Sequence, residues 1–214
     1  ITAVLYIFIF GSVVGSRIDS IQGREYIEFA LPGILMLSLI STAFAQSSTS
    51  LYFKRFAKHI EEILVAPISN GTIIASFMLG SIIRGIIVSV TVLLTGVAFG
   101  AASFHSIGLF LFYVVGVASI FSLLGILVGL WAKGFEQLNV LSTFIITPLT
   151  FLGGVFYSIT MLPEVMQQIT LFNPFFYFVD GIRFSMIGVS EASLPFGISF
   201  ILALNVLLFA IVWH

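Results

Sequence analysis

Few side chains in this 214-residue sequence could do chemistry, and most of them are hydroxyl and amide groups inside long apolar runs. One set, spaced by four, four and three residues, comprises Ser38, Thr42, Gln46 and Thr49. A second set has the same spacing and comprises Asn139, Thr143, Thr147 and Thr150. Residues three and four apart share one face of a helix. Each set therefore predicts a polar stripe that either hydrogen-bonds one helix to another or lines a path for a transported molecule.

The remaining polar residues do not indicate a catalytic, metal or nucleotide site. The sequence has no cysteine, and its three histidines (His59, His105 and His214) are scattered, so we expect no metal site. It contains no G-x-x-x-x-G-K-[ST] loop, no H-E-x-x-H motif and no G-x-S-x-G elbow. An intramembrane enzyme is therefore disfavoured, and we expect the chain itself to bind no nucleotide or other cofactor.

The composition determines which elements must position the stripes. Apolar residues make up 59% of the sequence and charged residues 8%, with a mean hydropathy of +1.20. Soluble domains carry about 25% charged residues, so this surface must be covered by lipid or protein. The net charge of −1 gives no indication of nucleic-acid binding. We expect an all-α membrane protein whose surroundings are the lipid bilayer.

Six runs approach or reach the length of about 20 apolar residues that a helix needs to cross the hydrocarbon core. They lie at about 1–15, 29–51, 72–100, 107–131, 138–157 and 194–213. Each is predicted to be a transmembrane helix, because open strands would leave backbone groups unpaired in lipid. Residues 1–214 are thus interpreted as one membrane domain. The first run lacks the basic segment and cleavage site of a signal peptide, so we expect a helix shortened by truncation.

The segment 52–70 has the densest charge in the sequence. Its apolar residues recur at three- and four-residue spacing and are Phe53, Phe56, Ile60, Ile63 and Leu64. This pattern predicts one amphipathic helix, in which Lys58 and Glu62 lie one turn apart and can form an ion pair. Pro67 is expected to end it. The helix either lies on the membrane surface or is bound by a cytoplasmic partner, and the periodicity does not decide between them.

The longest connection between predicted spans is 158–193, and most of it belongs to the informative stretch 151–188. Asn173 and Pro174 predict a helix start, with asparagine as the N-cap and proline at the first helical position. The helix that follows is apolar but carries Asp180 and Arg183, interpreted as an internal ion pair. About 16 residues with two charges are too short to span a bilayer. A re-entrant or interfacial element is favoured over an extracellular amphipathic loop.

Arg84 interrupts the apolar run 72–100. A cation at the centre of a membrane helix costs about 3 kcal/mol and is a candidate for a functional role. This run is longer than a span needs, so we favour an Arg84 that lies near the boundary and extends its head group to water.

Orientation is weakly determined by charge. With segments 52–70 and 132–137 in the cytoplasm, the cations inside are Lys54, Arg55, Lys58 and Lys133, and those outside are Arg17, Arg24 and Arg183. The excess of inside cations favours this orientation by a small margin.

Three segments, taken together, resemble one known family. They are HIEEILVAPIS at 59–69, PLTFLGGVFYSITMLP at 148–163 and NPFFYFVDGIRFSMIG at 173–188. In this order and at these separations they are similar to the permeases of ABC-2-type transporters, in particular to bacterial exporter permeases. The resemblance runs along essentially the whole chain.

The resemblance implies a six-helix permease of the cell (inner) membrane with both termini in the cytoplasm. It implies a homodimer and a separate ATP-binding cassette subunit that binds ATP and Mg. A coupling helix to that subunit would include Lys58, Glu61, Glu62 and Pro67. Extracellular re-entrant helices over 159–190 would include Asn173, Pro174, Asp180 and Arg183. The second and fifth spans, which carry the polar stripes, would line the translocation path.

We also expect an apolar exit gate formed by Phe151, Phe156 and Tyr157. The cargo class suited to such a path is an amphipathic or lipid-like molecule, a neutral glycan or a hydrophobic drug. A self-sufficient channel or an ion-coupled carrier is the alternative. The spans contain almost no Asp or Glu, which ion-coupled carriers usually place there, so an external energy source is favoured.

Overall fold

A computed structural model describes residues 2–15 and 20–214 and is mainly helical. The helices are α1 Thr2–Phe8, α2 Tyr26–Phe56, α3 His59–Val65, α4 Asn70–Ala98, α5 Ile107–Trp131, α6 Phe135–Leu141, α7 Thr147–Leu152, α8 Glu164–Phe172, α9 Pro174–Ile187 and α10 Leu194–Trp213. Two short strands, β1 Ser20–Ile21 and β2 Arg24–Glu25, pair antiparallel. Arg17, one of the cations counted for orientation, lies outside the described residues.

Within the described ranges, four helices are long and apolar enough to cross a membrane: α2, α4, α5 and α10. They coincide with four of the predicted spans, so the chain is a multi-pass, all-α membrane protein. The other two predicted spans are shorter and interrupted. Helix α1 continues as a π-helix at Ile9–Val14, and α6 and α7 flank a π-helix at Ser142–Ile146. That these two regions cross the bilayer stays a prediction.

Helix α2 lies at the centre of the core, packed against α4, α5 and α9. Two glycines of α5 allow the closest approach. A Cβ at Gly125 would lie 2.6 Å from the carbonyl oxygen of Phe44, and one at Gly129 would lie 2.9 Å from that of Ser48. The backbones of α2 and α5 are therefore in contact, as is common where small residues face each other in membrane helices.

Three buried serines connect the central helices. Ser47 of α2 lies 2.6 Å from the hydroxyl oxygen of Ser122 on α5, and it also hydrogen-bonds Ser81 on α4. All three side chains are at most 1% exposed. The face of α2 that carries Ser47 is thus fully packed against its two neighbours.

The predicted helix start at Asn173 and Pro174 is confirmed. The Asn173 side chain accepts a hydrogen bond from the Phe175 amide (3.1 Å) and donates one to the Leu149 carbonyl (2.7 Å). Helix α9 therefore begins at Pro174, with its N-cap hydrogen-bonded to α7. It has 14 residues, packs against α2 and α5, and is too short to span a bilayer.

Candidate functional site

A cavity of about 720 Å³ opens beside the polar face of α2. Its lining comprises Ser41, Thr42, Ala45, Gln46, Thr49, Ser50, Phe53, Lys54 and Arg84. Three of the four residues of the first predicted stripe are thus brought together, whereas Ser38 donates to the Ile34 carbonyl of its own helix (2.9 Å). The volume lies in the range of about 300–1,000 Å³ that is typical of small-molecule sites.

Arg84 contributes a cation to this cavity from the opposite helix. It is the middle residue of α4, and its guanidinium donates a hydrogen bond to the Gln46 side-chain oxygen on α2. The Gln46 amide in turn donates to the Ser50 hydroxyl (3.2 Å). The guanidinium is therefore held by α2. The expectation that Arg84 extends its head group to water does not include this contact.

Lys54 adds a second cation that sequence reasoning did not assign to this site. It lies two helical turns beyond Gln46 on α2, and its ammonium is 5.2 Å from the ring centroid of Phe77 on α4. The spacing of eight residues from Gln46 would have placed Lys54 on the stripe. Only the structure shows that Arg84 shares the cavity.

The second predicted stripe is interrupted, because the π-helix Ser142–Ile146 shifts the register between its members. Asn139 and Thr143 are exposed, Thr147 is half-buried, and Thr150 is fully buried with its hydroxyl donating to the Ile146 carbonyl (2.7 Å). None of the four lines the cavity beside α2. They therefore do not share one α-helical face.

The segment 52–70 forms two helices instead of the one predicted. Helix α2 continues to Phe56, and α3 starts at His59 after a turn in which Lys58 has a φ of 59°. This left-handed residue interrupts the helix, so the predicted apolar stripe is divided between the two helices. Among the described residues, the ion pairs do not include Lys58 with Glu62. The side chain of Leu64 lies outside the described part.

Helix α3 has one side toward the protein and one free side. Ile60 and Ile63 are half-buried, whereas Glu61 and Glu62 are exposed in its first turn. The helix ends at Val65, and Pro67 follows an extended Ala66, as predicted. The free side of α3 is therefore acidic.

Arg55 connects the end of α2 to the end of α5, next to the start of α3. Its guanidinium donates to the carbonyls of Gly129 (2.7 Å) and Leu130 (2.5 Å) at the end of α5. These carbonyls have no helical partner, and a cation is favourable at a helix C-terminus. The ends of α2 and α5 are thus held together directly before α3.

Two of the three predicted gate residues are brought together. The rings of Phe151 and Phe156 stack with centroids 5.5 Å apart, and Phe156 also stacks on Phe10 at 4.0 Å. Tyr157 lies elsewhere: it lines a separate cavity of about 360 Å³ with residues of α8, among them Met166. No local pattern predicts the contribution of Phe10, because the contact joins segments far apart in the chain.

Arg183 lies in a buried polar cluster, and its partner is Glu191 instead of the predicted Asp180. The guanidinium is 4.0 Å from the Glu191 carboxylate, donates to the Gly154 carbonyl (2.5 Å), and lies 3.9 Å from the ring centroid of Phe29. Arg183 is fully buried and the Glu191 side chain is 3% exposed. Burial lowers the pKa of Arg183 to about 10, so it stays charged at neutral pH.

Glu191 is held in turn by groups from other parts of the chain. Its carboxylate accepts hydrogen bonds from the Gln22 amide (2.5 Å), the Ser158 hydroxyl and the Ile159 backbone amide (3.1 Å). We call Gln22, Ser158, Arg183 and Glu191 the Arg183 cluster. It joins the β1–β2 turn, the segment after α7, α9 and the connection to α10.

Asp180 positions this connection instead of pairing with Arg183. Its carboxylate accepts hydrogen bonds from the Ser190 hydroxyl (2.8 Å) and from the backbone amides of Glu191 (2.8 Å) and Ala192 (3.1 Å). Burial raises the pKa of Asp180, and these hydrogen bonds and the nearby Arg183 oppose that shift. The predicted ion pair is wrong because both side chains find closer partners in the segment 190–192.

Comparison with known proteins identifies a family. The family model of the ABC-2 type transporter matches residues 1–187. The chain is 37% identical over 213 residues to the inner membrane transport permease YadH of Escherichia coli (strain K12), covering all of this chain and 83% of YadH. It is 26% identical over 191 residues to nodulation protein J of Rhizobium leguminosarum bv. viciae, covering 86% of this chain and 72% of that protein.

Proposed function

We propose that this chain, which belongs to the ABC-2 type transporter family, is the membrane subunit of an exporter driven by ATP hydrolysis in a separate subunit. The observation that carries the proposal is the polar cavity between two membrane-spanning helices, α2 and α4. The sequence has no nucleotide-binding loop, and membership of the ABC-2 type transporter family implies a separate subunit that binds ATP. The name of YadH supports the inner membrane as the location.

In this proposal the permease has six spans, and residues 1–15 and 138–157 supply the two that are interrupted by π-helices. Two copies form a homodimer around the path, with the termini in the cytoplasm. Helices α8 and α9 are the re-entrant elements on the outer side. Stacked rings of Phe151, Phe156 and Phe10 form the apolar gate. None of the three lines the cavity beside α2, which supports an exit distinct from the entry.

The docking element is α3. Its exposed Glu61 and Glu62 give a cationic groove of an ATPase subunit a complementary surface, while Ile60 and Ile63 fix the helix to the permease. Because Arg55 joins the ends of α2 and α5 next to α3, a displacement of α3 is transmitted to the helix that lines the cavity. ATP and Mg are bound by the partner subunit.

The test is the substitution Glu62→Lys in the full-length protein, expressed together with its ATPase subunit. Reversing one charge at a complementary interface costs about 1–3 kcal/mol, so we expect the amount of co-purified ATPase to fall by about fivefold or more. Cargo-dependent ATP hydrolysis should be lost, while insertion into the membrane is unchanged.

Glu164→Lys is the matched control, because Glu164 is also an exposed acid in the first turn of a short helix, α8. We expect this variant to retain the ATPase. Full retention and full ATP hydrolysis in Glu62→Lys would contradict the docking role of α3. If the protein alone moved solute across a liposome membrane without any ATPase, a channel or ion-coupled carrier would replace the proposal.

A further inference from the structure

The cavity beside α2 has an uncompensated positive charge. Arg84 and Lys54 both line it, and its lining contains no Asp or Glu. In the part of the chain that the structure describes, the ion pairs within 4.0 Å join Arg24 to Glu28 and Arg183 to Glu191. Arg84 and Lys54 are in neither. Two cations that share one cavity between membrane helices favour a ligand of opposite charge.

The other lining groups suit such a ligand. Thr42, Thr49 and Ser50 supply hydroxyl donors on the face of α2 that carries Gln46 and Lys54. Gln46 contacts Arg84 through its side-chain oxygen. A guanidinium has five donors in a planar fork, so this single contact leaves donors for a phosphate or carboxylate group.

The surroundings of the cavity are apolar. Phe53 belongs to the lining and is 49% exposed, and Ile87, one turn from Arg84 on α4, is 60% exposed. In a membrane-spanning helix, exposed aliphatic side chains face acyl chains or another apolar surface. An anionic head group between Arg84 and Lys54 would therefore have room for a hydrocarbon tail along α4.

We propose that this cavity binds the anionic head group of an amphipathic molecule, with Arg84 and Lys54 as the charged contacts. Arg84 binds the anion and Gln46 positions the guanidinium toward the cavity. Lys54 lies at the end of α2 and contacts the same head group from the side of α3. That the bound molecule is the transported cargo rests on the proposed function. Binding of the anionic head group itself requires neither ATP nor a partner subunit.

The experiment measures lipid retention by the full-length protein, purified in detergent, using native mass spectrometry. The probes are phosphatidylglycerol and phosphatidylcholine with the same acyl chains, supplied separately and in mixture. We expect the unmodified protein to prefer the anionic lipid by about fivefold or more, and Arg84→Gln to lose that preference. Lys54→Gln should weaken it, and Arg84→Lys should keep most of it because the charge remains.

Lys133→Gln is the matched control, since Lys133 is an exposed cation outside the cavity, and it should leave the preference unchanged. An added arm with millimolar inorganic phosphate distinguishes the source of the anion. If phosphate displaces phosphatidylglycerol, the site binds the head group alone. If phosphate does not displace it, the acyl tail is also bound, and either result supports the anion site.

Equal retention of the two lipids by the unmodified protein, or an unchanged preference in Arg84→Gln, overturns the proposed anion site. Because no nucleotide is present, this outcome is independent of the ATPase-docking test.

Discussion

Two arginines that lie among apolar helices differ in their burial and in the number of groups around their guanidinium. Arg183 is fully buried, with a carboxylate, a backbone carbonyl and an aromatic ring around its guanidinium. Arg84 is exposed to a cavity, and among the described residues its guanidinium forms one side-chain hydrogen bond, to Gln46. A buried charge is tolerated only when it is paired, whereas a charge at a cavity can bind something that comes and goes.

The difference indicates which arginine stabilises the fold and which serves function. The Arg183 cluster joins three regions that are distant in sequence, around Gln22, around Ser158 and at 183–191, so it holds the region around α9 in one arrangement. The cavity around Arg84 joins two helices that already pack through Ser47 and Ser81 on another face of α2. Removal of the two charges should therefore have separate consequences, which measurements of unfolding free energy can distinguish.

The largest effect is expected for Arg183→Met. This substitution leaves the Glu191 carboxylate buried without its cation, which typically costs about 3–5 kcal/mol. Arg84→Gln should change the free energy of unfolding by less than about 1 kcal/mol, because the site is open and the residue exposed. Both values can be measured by unfolding in mixed micelles, followed by the fluorescence of Trp131 and Trp213.

The double variant Arg183→Met with Glu191→Gln tests the cause of that loss. No unpaired buried charge remains in it, so its destabilisation should be smaller than the sum for the two single variants. If the two losses simply add, the pair does not act as a unit. A large loss in Arg84→Gln would also remove the distinction between the two arginines.

An intermediate effect is expected for Asp180→Ala. The carboxylate accepts three hydrogen bonds from the segment 190–192, and its removal leaves two partly buried backbone amides without their acceptor. Each such group costs about 1–3 kcal/mol, so we expect a loss of about 2 kcal/mol. Asp180→Asn keeps one acceptor oxygen and should lose about half as much. Equal losses of unfolding free energy in the two variants would show that the hydrogen bonds accepted by Asp180 do not account for its contribution to stability.

The four long helices could be predicted from the sequence, because uninterrupted apolar runs of this length have one stable form in lipid. The start of α9 was also predictable, since the capping asparagine and the first-turn proline are local signals. The π-helix at Ser142–Ile146 was not, because α-helical spacing was assumed for Asn139 and Thr143. The break at Lys58 was missed for a similar reason: the apolar spacing continues through a left-handed turn.

Partners across long sequence distances were the least predictable. Asp180 and Arg183 carry opposite charges three residues apart, and this local pattern predicts an ion pair between them. In the structure their partners are instead in the segment 190–192. The contact of Glu191 with Gln22 joins residues 169 positions apart, which no periodicity can indicate. Arg84 was recognised as unusual from its surroundings, but its cavity depends on how α4 packs against α2. Sequence spacing predicts which residues share one face of a helix, but the elements that contact this face depend on tertiary packing.

The smallest effect compares two faces of α2 directly. Ser47 is buried and hydrogen-bonds serines of α4 and α5, whereas Ser50, one turn further, lines the cavity. Ser47→Ala should cost about 1 kcal/mol, the usual value of an interhelical hydrogen bond in a membrane protein, because the hydroxyls of Ser81 and Ser122 lose a shared partner. Ser50→Ala should leave the free energy of unfolding unchanged and weaken the anion preference slightly, since it removes the group that holds Gln46. Equal stability of the two variants would mean that the packed face and the cavity face of α2 contribute alike, and the division between a structural side and a binding side would fail.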